Sequence, residues 1–394
     1  MEKGELSIRN GRCLLADGRL AATDLRLSGG RIAEIGSGLK SGRELDAAGG
    51  LLLPGLVDLH THGLEFALAE TAGLDEYARL EAARGVTAFC PTFFNAPENL
   101  LETLRRHCRE TGRLQAVPQA VGFRLESPYL TRTGGGRSDD LVPITTGLTD
   151  ALLEAGGGLI KVWDIAPELE GAVELIGRLS SRGIVCSLGH TNAGLETAAA
   201  AVEAGARLVT HLFNVMPPPD PAEPGLTPVG LADYFLVEPR LWAEIIPDGT
   251  HVAPILVREA LRCKGPDRLI FITDSNCGAG LAPGDYLFPN RWGRVRIGGS
   301  EAGVRLIDRD LVLAGSALTA LDAFRAAVNR FGQDLAAASR LCSTNPARLL
   351  GLNKGEIAPG RDADLVILDD RLDLICTVAA GRVVYERAPA AGIA

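Results

Sequence analysis

Apolar and polar positions along this chain alternate between two rhythms, one of short runs and one of helical spacing. Between Ile184 and Met216 (IVCSLGHTNAGLETAAAAVEAGARLVTHLFNVM) a short apolar run, IVCSL, stops at Gly189-His190. An Ala-, Leu- and Glu-rich stretch, LETAAAAVEA, then runs to Gly205, and a second apolar run, RLVT, stops at His211. Strand, helix and strand of these lengths predict one βαβ unit with parallel strands. His190 and His211 then close their strands on the same edge of the sheet, the edge that carries chemistry in α/β barrels and open α/β sheets. One such histidine reads as a satisfied hydrogen-bonding residue; two in register point to a site.

The same rhythm extends on both sides. In LLLPGLVDLHTHG, Pro54-Gly55 marks a turn, LVDL a strand, and His60 and His62 follow at its end. Residues two apart on an extended segment face the same way, so both imidazoles can reach one metal ion. Helical stretches (LDEYARLEAARG, ENLLETLRRHCRE) then alternate with apolar runs (VTAFCPT, AVGFRLES, LIKVWD, WAEIIPDG, RLIFITD), and LTALDAFRAAVNRF with DLAAASRLCSTNPARLLG closes the series. Strands at helix-interrupted spacing over residues 54–353 predict an α/β fold, an eight-stranded (β/α)8 barrel of the TIM type.

The ends have a different texture. Residues 1–53 carry short apolar runs (LSI, CLL, LRL, IAEI) separated by NG, DG and GG dipeptides, which supply the positive φ of tight hairpins. Residues 354–394 return to it, with a turn at Ala380-Gly381. The two β-rich ends are expected to fold together into one small β-sandwich domain beside the barrel. Proline-rich PPPDPAEPG, Pro217 to Gly225, is a loop on the face of His211.

Composition narrows the class. The 394 residues are 46% hydrophobic and 23% charged, enough for a large core. A formal charge of −9 with no basic cluster argues against nucleic acid and acidic membrane as partners. No apolar run approaches the ~20 residues that span a bilayer, and the charged start MEKGELSIRNGR is not a secretory signal. Eight scattered cysteines without a CxxC pair read as small buried hydrophobes in a reducing compartment. The expectation is a cytoplasmic protein.

Chemistry-bearing residues collect at strand ends: His60 and His62 after LVDL, Glu126 after GFRL, His190 after VCSL, His211 after RLVT, Asp274 after LIFIT, and His251 just after IIPDG. Of the six histidines only His107, in the charged helix LRRHCRE, falls elsewhere, and it is expected at the solvated surface. Imidazoles and carboxylates with an open position suit a catalytic Zn²⁺ or similar divalent ion. Such an ion polarises a carbonyl and lowers the pKa of water towards ~7. Asp274 on the last strand is placed to accept a proton and pass it to a leaving group. The inventory points to metal-assisted hydrolysis of an amide or related C–N bond.

PGLVDLHTHG and GEIAPGRDADLVILD resemble the amidohydrolase superfamily. ESPYL, SLGHTNAG, THLFNVM, IPDGTHV, ITDSNCGAGL and LAGSALT resemble its N-acetylglucosamine-6-phosphate deacetylases, in the family's order and over nearly the whole chain. The resemblance implies a metal-binding barrel with a small β domain from both termini. It implies Glu126, His190 and His211 as ligands of the main metal, and Asp274 as general base and acid. His60 and His62 become ligands of a second ion with Glu126 bridging, so one or two Zn²⁺ ions per subunit are expected. His251, Asn214 and the backbone near Val215 become contacts to an amino-sugar substrate, and the assembly a homodimer. Lys161 in LIKVWD is read as structural, since the deacetylase pattern has a lysine there that is not a ligand.

Two departures affect the phosphate. Where the family has an arginine, Ala222 stands before Glu223-Pro224-Gly225, and no basic residue lies between His211 and Leu226. Where it often has a histidine or glutamine on the acetyl carbonyl, this chain reads RTGGGRS, which offers glycine or Arg137. Arg132 and Arg137 are the candidates for the missing charge, and Arg137 is assigned to substrate binding. The chemistry is thus better marked than the substrate, and another N-acyl compound, a cyclic amide or an unphosphorylated amino sugar is the alternative. A catalytically dead scaffold is disfavoured, because every ligand-type residue is retained.

Overall fold

The computed structural model describes residues 5–218, 224–288, 291–298 and 303–388. Its centre is an eight-stranded parallel sheet: β1 (Leu56–Thr61), β2 (Val86–Phe93), β3 (Phe123–Leu125), β4 (Ile160–Ile165), β5 (Val185–Leu188), β6 (Leu208–Val209), β7 (Trp242–Ile245) and β8 (Leu269–Phe271). The strands follow one another in chain order, each parallel to the next. Parallel bridges from Thr61 to Ser275 and from Ser275 to Ser316 bring the first strand back beside the segment after the last.

Helices cross over between the strands because their apolar residues keep a 3.6-residue period. In the helix Pro97–Glu110, proline occupies the first turn, where its missing N–H costs nothing. Leu100, Thr103, Leu104 and His107, spaced i, i+3, i+4, i+7, form its buried stripe. Each fully buried leucine of such a stripe is worth about 1.5–3 kcal/mol. His107 is therefore not at the surface, as the charges around it suggested. It is fully buried, its ring stacks on Phe93 at 5.7 Å, and its Nε2–H donates to the Ala69 carbonyl at 2.8 Å. Arg105 and Arg109 are exposed, whereas Arg106 is half-buried, donates to the Thr71 carbonyl at 3.1 Å and comes within 3.3 Å of His107 Nε2.

The βαβ unit is formed as its pattern predicts, with β5, the helix Leu195–Ala204 and β6. Gly205, at φ 120°, ends the helix. Gly189 is required by closeness: a Cβ there would stand 2.4 Å from Thr210 Cβ. The two glycine- and threonine-bearing strand ends thus approach each other just below His190 and His211.

Strands from both ends of the chain share a second sheet. Its order is Arg382–Glu386, Leu374–Ala379, Leu365–Leu368, Leu51–Pro54, Leu6–Leu14, Leu20–Ser28 and Arg31–Gly36, and Glu44–Asp46 also pairs with Leu6–Leu14. Leu52 lies opposite Ile367, within a core of Ile8, Leu25, Leu27, Leu365 and Val378. Hairpins close at Asp17-Gly18, Gly29-Gly30 and Ala380-Gly381. Asn10-Gly11 does not make one. It lies inside the first strand as a bulge, with Asn10 at φ 57° and the register shifting between Ile8 and Gly11. A Cβ at Gly11 would meet Leu52 Cδ1 at 2.2 Å, so glycine serves close packing there and not a turn.

Between β8 and the last helices lies a four-stranded antiparallel sheet, Gly284–Phe288, Gly293–Ile297, Val304–Leu306 and Val312–Leu313. The sequence pattern passed over it. Val295, Ile297, Val304 and Leu306 pack with Phe288 and Ala314 as a separate small core. No helix among the described residues is long and apolar enough to cross a membrane.

Candidate active site

Every ligand-type residue named at a strand end arrives at the C-terminal edge of the parallel sheet. Glu126 follows β3 and reaches all four imidazoles. Its Oε1 lies 3.3 Å from His60 Nε2, 3.1 Å from His190 Nε2 and 3.3 Å from His211 Nε2, and its Oε2 lies 3.0 Å from His62 Nε2. Asp274 Oδ1 lies 3.4 Å from both His60 and His62. The atoms fall into two groups able to hold a cation, His60–His62–Asp274 and Glu126–His190–His211, all buried.

This donor set fits a divalent metal. The Nε2 atoms of His60 and His62 face each other at 3.1 Å, as do those of His190 and His211. Neutral imidazoles have one N–H each, and here four ring nitrogens converge on one carboxylate. Burial depresses the imidazole of His60 and Arg124 adds to this, yet the carboxylates of Glu126 and Asp274 outweigh both and push it up to about 10. The cluster is short of positive charge. Burial alone would raise Asp274, but His60 and His62 hold its carboxyl down at about 2, ionised and able to accept a proton.

The cluster is braced from behind. His190 Nδ1–H donates to the Arg132 carbonyl at 2.7 Å, which aims Nε2 into the site. Asp58 accepts from Thr273 Oγ1 at 2.6 Å, tying β1 to the residue before Asp274. Beneath the cluster Arg124, fully buried, donates to both Asp164 oxygens at 3.0 Å and to Glu244 Oε2 at 2.9 Å. Glu244 Oε2 in turn lies 3.5 Å from His60 Nδ1. Arg124, Asp164 and Glu244 were missed in the sequence. Their signal was a charged residue inside each of three apolar strand runs, GFRL, KVWD and WAEI.

Backbone strain marks the same edge. His190, His211, Phe213, Val215 and Asp274 have φ of 49°, 26°, 76°, 53° and 46°, a region that costs non-glycine residues of order 1–3 kcal/mol each. The left-handed turns let each strand stop and deliver its side chain sideways into the cavity.

That cavity has a volume of about 370 Å³, within the range of small-ligand sites. His62, Glu126, His190, His211 and Asp274 form its floor, and Asn214, Val215 and His251 line it as expected. His251 Nδ1 lies 2.7 Å from Asp248 Oδ2, which fixes the ring. Arg137 is not there. It lines a neighbouring cavity with Glu70, Arg106 and Arg291, while Gly134, Gly135 and Gly136 take the wall of the cavity above the cluster. The tightness is steric: a Cβ at Gly135 would meet Ala314 Cα at 2.6 Å. Arg132 turns away and donates to Asn192 Oδ1 at 2.9 Å. Ala222 and Glu223 lie outside the described residues. Lys161 sits near the opposite end of its strand, packed over Gly122, and does not line the cavity. Phe94, Asn276, Trp292 and Arg305 line the cavity without having been singled out.

Comparison with known proteins agrees with this geometry. Residues 51–385 match the Amidohydrolase family. The chain is 31% identical over 393 residues to the N-acetylglucosamine-6-phosphate deacetylase of Bos taurus, covering 95% of this chain and 94% of the relative. It is 32% identical over 373 residues to the N-acetylgalactosamine-6-phosphate deacetylase of Escherichia coli O157:H7, covering 93% and 95%. Among solved structures it resembles a mutant N-acetyl-D-glucosamine-6-phosphate deacetylase of Mycobacterium smegmatis in complex with N-acetyl-D-glucosamine-6-phosphate. There the TM-score is 0.83 and the identity 32%, over 97% of this chain and 99% of the other.

Proposed function

Since the chain belongs to the amidohydrolase family, in the branch of the N-acetylglucosamine-6-phosphate deacetylases, we propose that its buried cluster is a metal centre that hydrolyses the N-acetyl amide of an amino-sugar phosphate. The substrate is N-acetylglucosamine-6-phosphate, and the products are glucosamine-6-phosphate and acetate. The observation that carries this reading is Glu126, one carboxylate within 3.3 Å of four buried imidazoles. The galactosamine epimer is the second reading for the sugar, favoured by the 32% identity to the Escherichia coli relative.

Glu126, His190 and His211 would hold the main ion, and His60, His62 and Asp274 a second, with Glu126 between them. Zinc suits this mixed nitrogen and oxygen donor set. When bound, a divalent ion supplies Lewis acidity to the acetyl carbonyl and acidifies water. Asp274, ionised and at the cavity floor, takes the proton from the attacking water and returns it to the amine nitrogen as the C–N bond breaks. One water is consumed, so acetate and the free amine balance the amide. His251, its Nδ1–H held by Asp248, presents Nε2 to the sugar, and Asn214 and the turn at Val215 contact the substrate beside His211. The fold is read as a (β/α)8 barrel, residues 54–353, with a small β-sandwich domain from 1–53 and 354–394. The free state of all eight cysteines supports a reducing, cytoplasmic setting, and the assembly is read as a homodimer.

The test is acetate release from N-acetylglucosamine-6-phosphate by metal-replete protein, with bound metal measured on the same sample. The reading expects turnover that a chelator removes and zinc restores. Turnover that persists in metal-free protein would overturn it.

A further inference from the structure

The metal cavity contains a cation that neither the metal centre nor the proton transfer uses. Arg305 is the one arginine or lysine among the described residues that line it. It sits in the middle of the strand Val304–Leu306, whose other two residues are buried in the small core. Alternation along the strand therefore turns Arg305 to the opposite face, the face towards the cavity. The start of the strand approaches His251 on the cavity wall: a Cβ at Gly303, the residue before it, would stand 3.5 Å from His251 Cε1, and the charge of Arg305 acts on the His251 ring.

The pairing of the neighbouring arginines sets Arg305 apart. Arg296, its partner across the ladder, is held by Asp285 at 2.7 and 2.8 Å. Arg294 is held by Asp308 at 2.9 Å. Arg309 donates to the Gly135 and Gly136 carbonyls, both at 2.9 Å. Arg305 has no carboxylate partner among the described residues; its Nη1 donates to the Leu311 carbonyl at 3.1 Å. A guanidinium carries five N–H donors, so most of the fork is left for something in the cavity. The acidic groups of the cavity, Glu126 and Asp274, are already occupied by imidazoles at its floor. The loop after His211 offers no alternative, because no lysine or arginine occurs from His211 to Leu226.

We infer that Arg305 is the residue that recognises the phosphate of the substrate, with the four-stranded antiparallel sheet serving as its mount. A half-buried guanidinium with no carboxylate partner among the described residues, on the wall of a cavity whose two carboxylates lie among the imidazoles at its floor, is complementary to a phosphomonoester. A phosphate carries about two negative charges near neutral pH and offers paired oxygens to the planar fork. The metal centre would hold the acetamide end of the sugar and Arg305 the far end. This assignment rests on the deacetylase reading and names the group that makes it selective.

The experiment measures kcat/KM of metal-replete protein for N-acetylglucosamine-6-phosphate and for N-acetylglucosamine, in the wild type, Arg305→Ala and Arg305→Lys. The quantity read is the preference, the ratio of the two values. Arg305→Ala is expected to lower the preference about 10- to 100-fold, the range of a charge-assisted hydrogen bond. Arg305→Lys is expected to recover part of it, because the charge returns without the fork. Arg305→Gln replaces the alanine variant if that one does not fold. A preference unchanged in Arg305→Ala, or equal losses on both sugars, would overturn the assignment while leaving the deacetylase standing. A wild type that turns over both sugars equally overturns it in the same way. A metal-loaded wild type inactive on both sugars overturns the deacetylase reading itself.

Discussion

Glu244 stands behind His60, with its Oε2 3.5 Å from His60 Nδ1 and 2.9 Å from a guanidinium nitrogen of Arg124. The Nε2 of His60, which faces Glu126 and Asp274, is thereby aimed by a carboxylate that is itself fixed by a buried arginine. Burial would raise Glu244, but Arg124 and His60 hold its carboxyl at about 2, so it stays ionised behind the ring. Carboxylates in this position orient the imidazole and raise its basicity as a ligand. Glu244→Gln is expected to weaken metal binding about 10- to 100-fold, read by competition with a chromogenic chelator. Unchanged affinity would remove Glu244 from the support of the centre.

Asp274→Asn keeps the side-chain shape and an oxygen for the His60–His62 group, but cannot accept the proton. The expected loss in kcat is about 10²- to 10⁴-fold, with the ion of Glu126, His190 and His211 still present by elemental analysis. An asparagine variant that turns over at the wild-type rate would refute the proton-transfer role.

The two ligand groups predict different metal counts. His190→Ala should strip the ion held with Glu126 and His211 and abolish activity. His62→Ala should lower the metal content of fully loaded protein by one ion per chain and leave the other in place. A stoichiometry unaltered by His62→Ala would reduce the centre to a single ion.

His107 offers a pH test remote from the chemistry. Burial, with Arg106 nearby, pushes its imidazole down to about 4, against an ordinary value near 6.5. The folded state binds this proton less readily than the unfolded state does. Its contribution is therefore intact above about pH 6.5, is lost as the pH falls towards about 4, and changes no further below that. The full loss is on the order of 3 kcal/mol. Urea denaturation at pH 7 and pH 4.5 should show a smaller drop for His107→Gln, whose amide can still donate to the Ala69 carbonyl. An equally large drop in the variant would mean that other groups carry the acid sensitivity.

The strand-end residues were legible because period and position agree: an apolar run, an abrupt polar residue, then a helix or loop. His60, His62, Glu126, His190, His211 and Asp274 could all be placed by that rule before any coordinates. His107 was misplaced because its charged neighbours were weighed above its spacing from Leu100 and Leu104, which already put it on the inner stripe. Asn10-Gly11 has the composition of a turn but is held inside a strand by Leu52, a contact from a distant segment that no local pattern contains. Arg137 was chosen for its charge and its closeness in sequence to the glycines. The glycines enter the cavity wall and Arg137 leaves it, because Gly135 packs against Ala314. Arg305 was invisible for a related reason, since its strand belongs to a small sheet whose short runs fit neither rhythm of the barrel.

The sheet shared by both chain ends has a consequence for the order in which the molecule can be assembled. Leu51–Pro54, the strand leading directly into the segment that carries His60 and His62, is bordered on one edge by Leu365–Leu368. The pairing of Leu52 with Ile367 spans almost the whole chain, and closing so long a loop is a slow, entropically costly event. On a ribosome this edge stays open until nearly all of the barrel has been synthesised. The strand that leads into the His60 and His62 segment thus waits for a segment made far later, and a chain interrupted before residue 365 would leave that edge of Leu51–Pro54 unpaired.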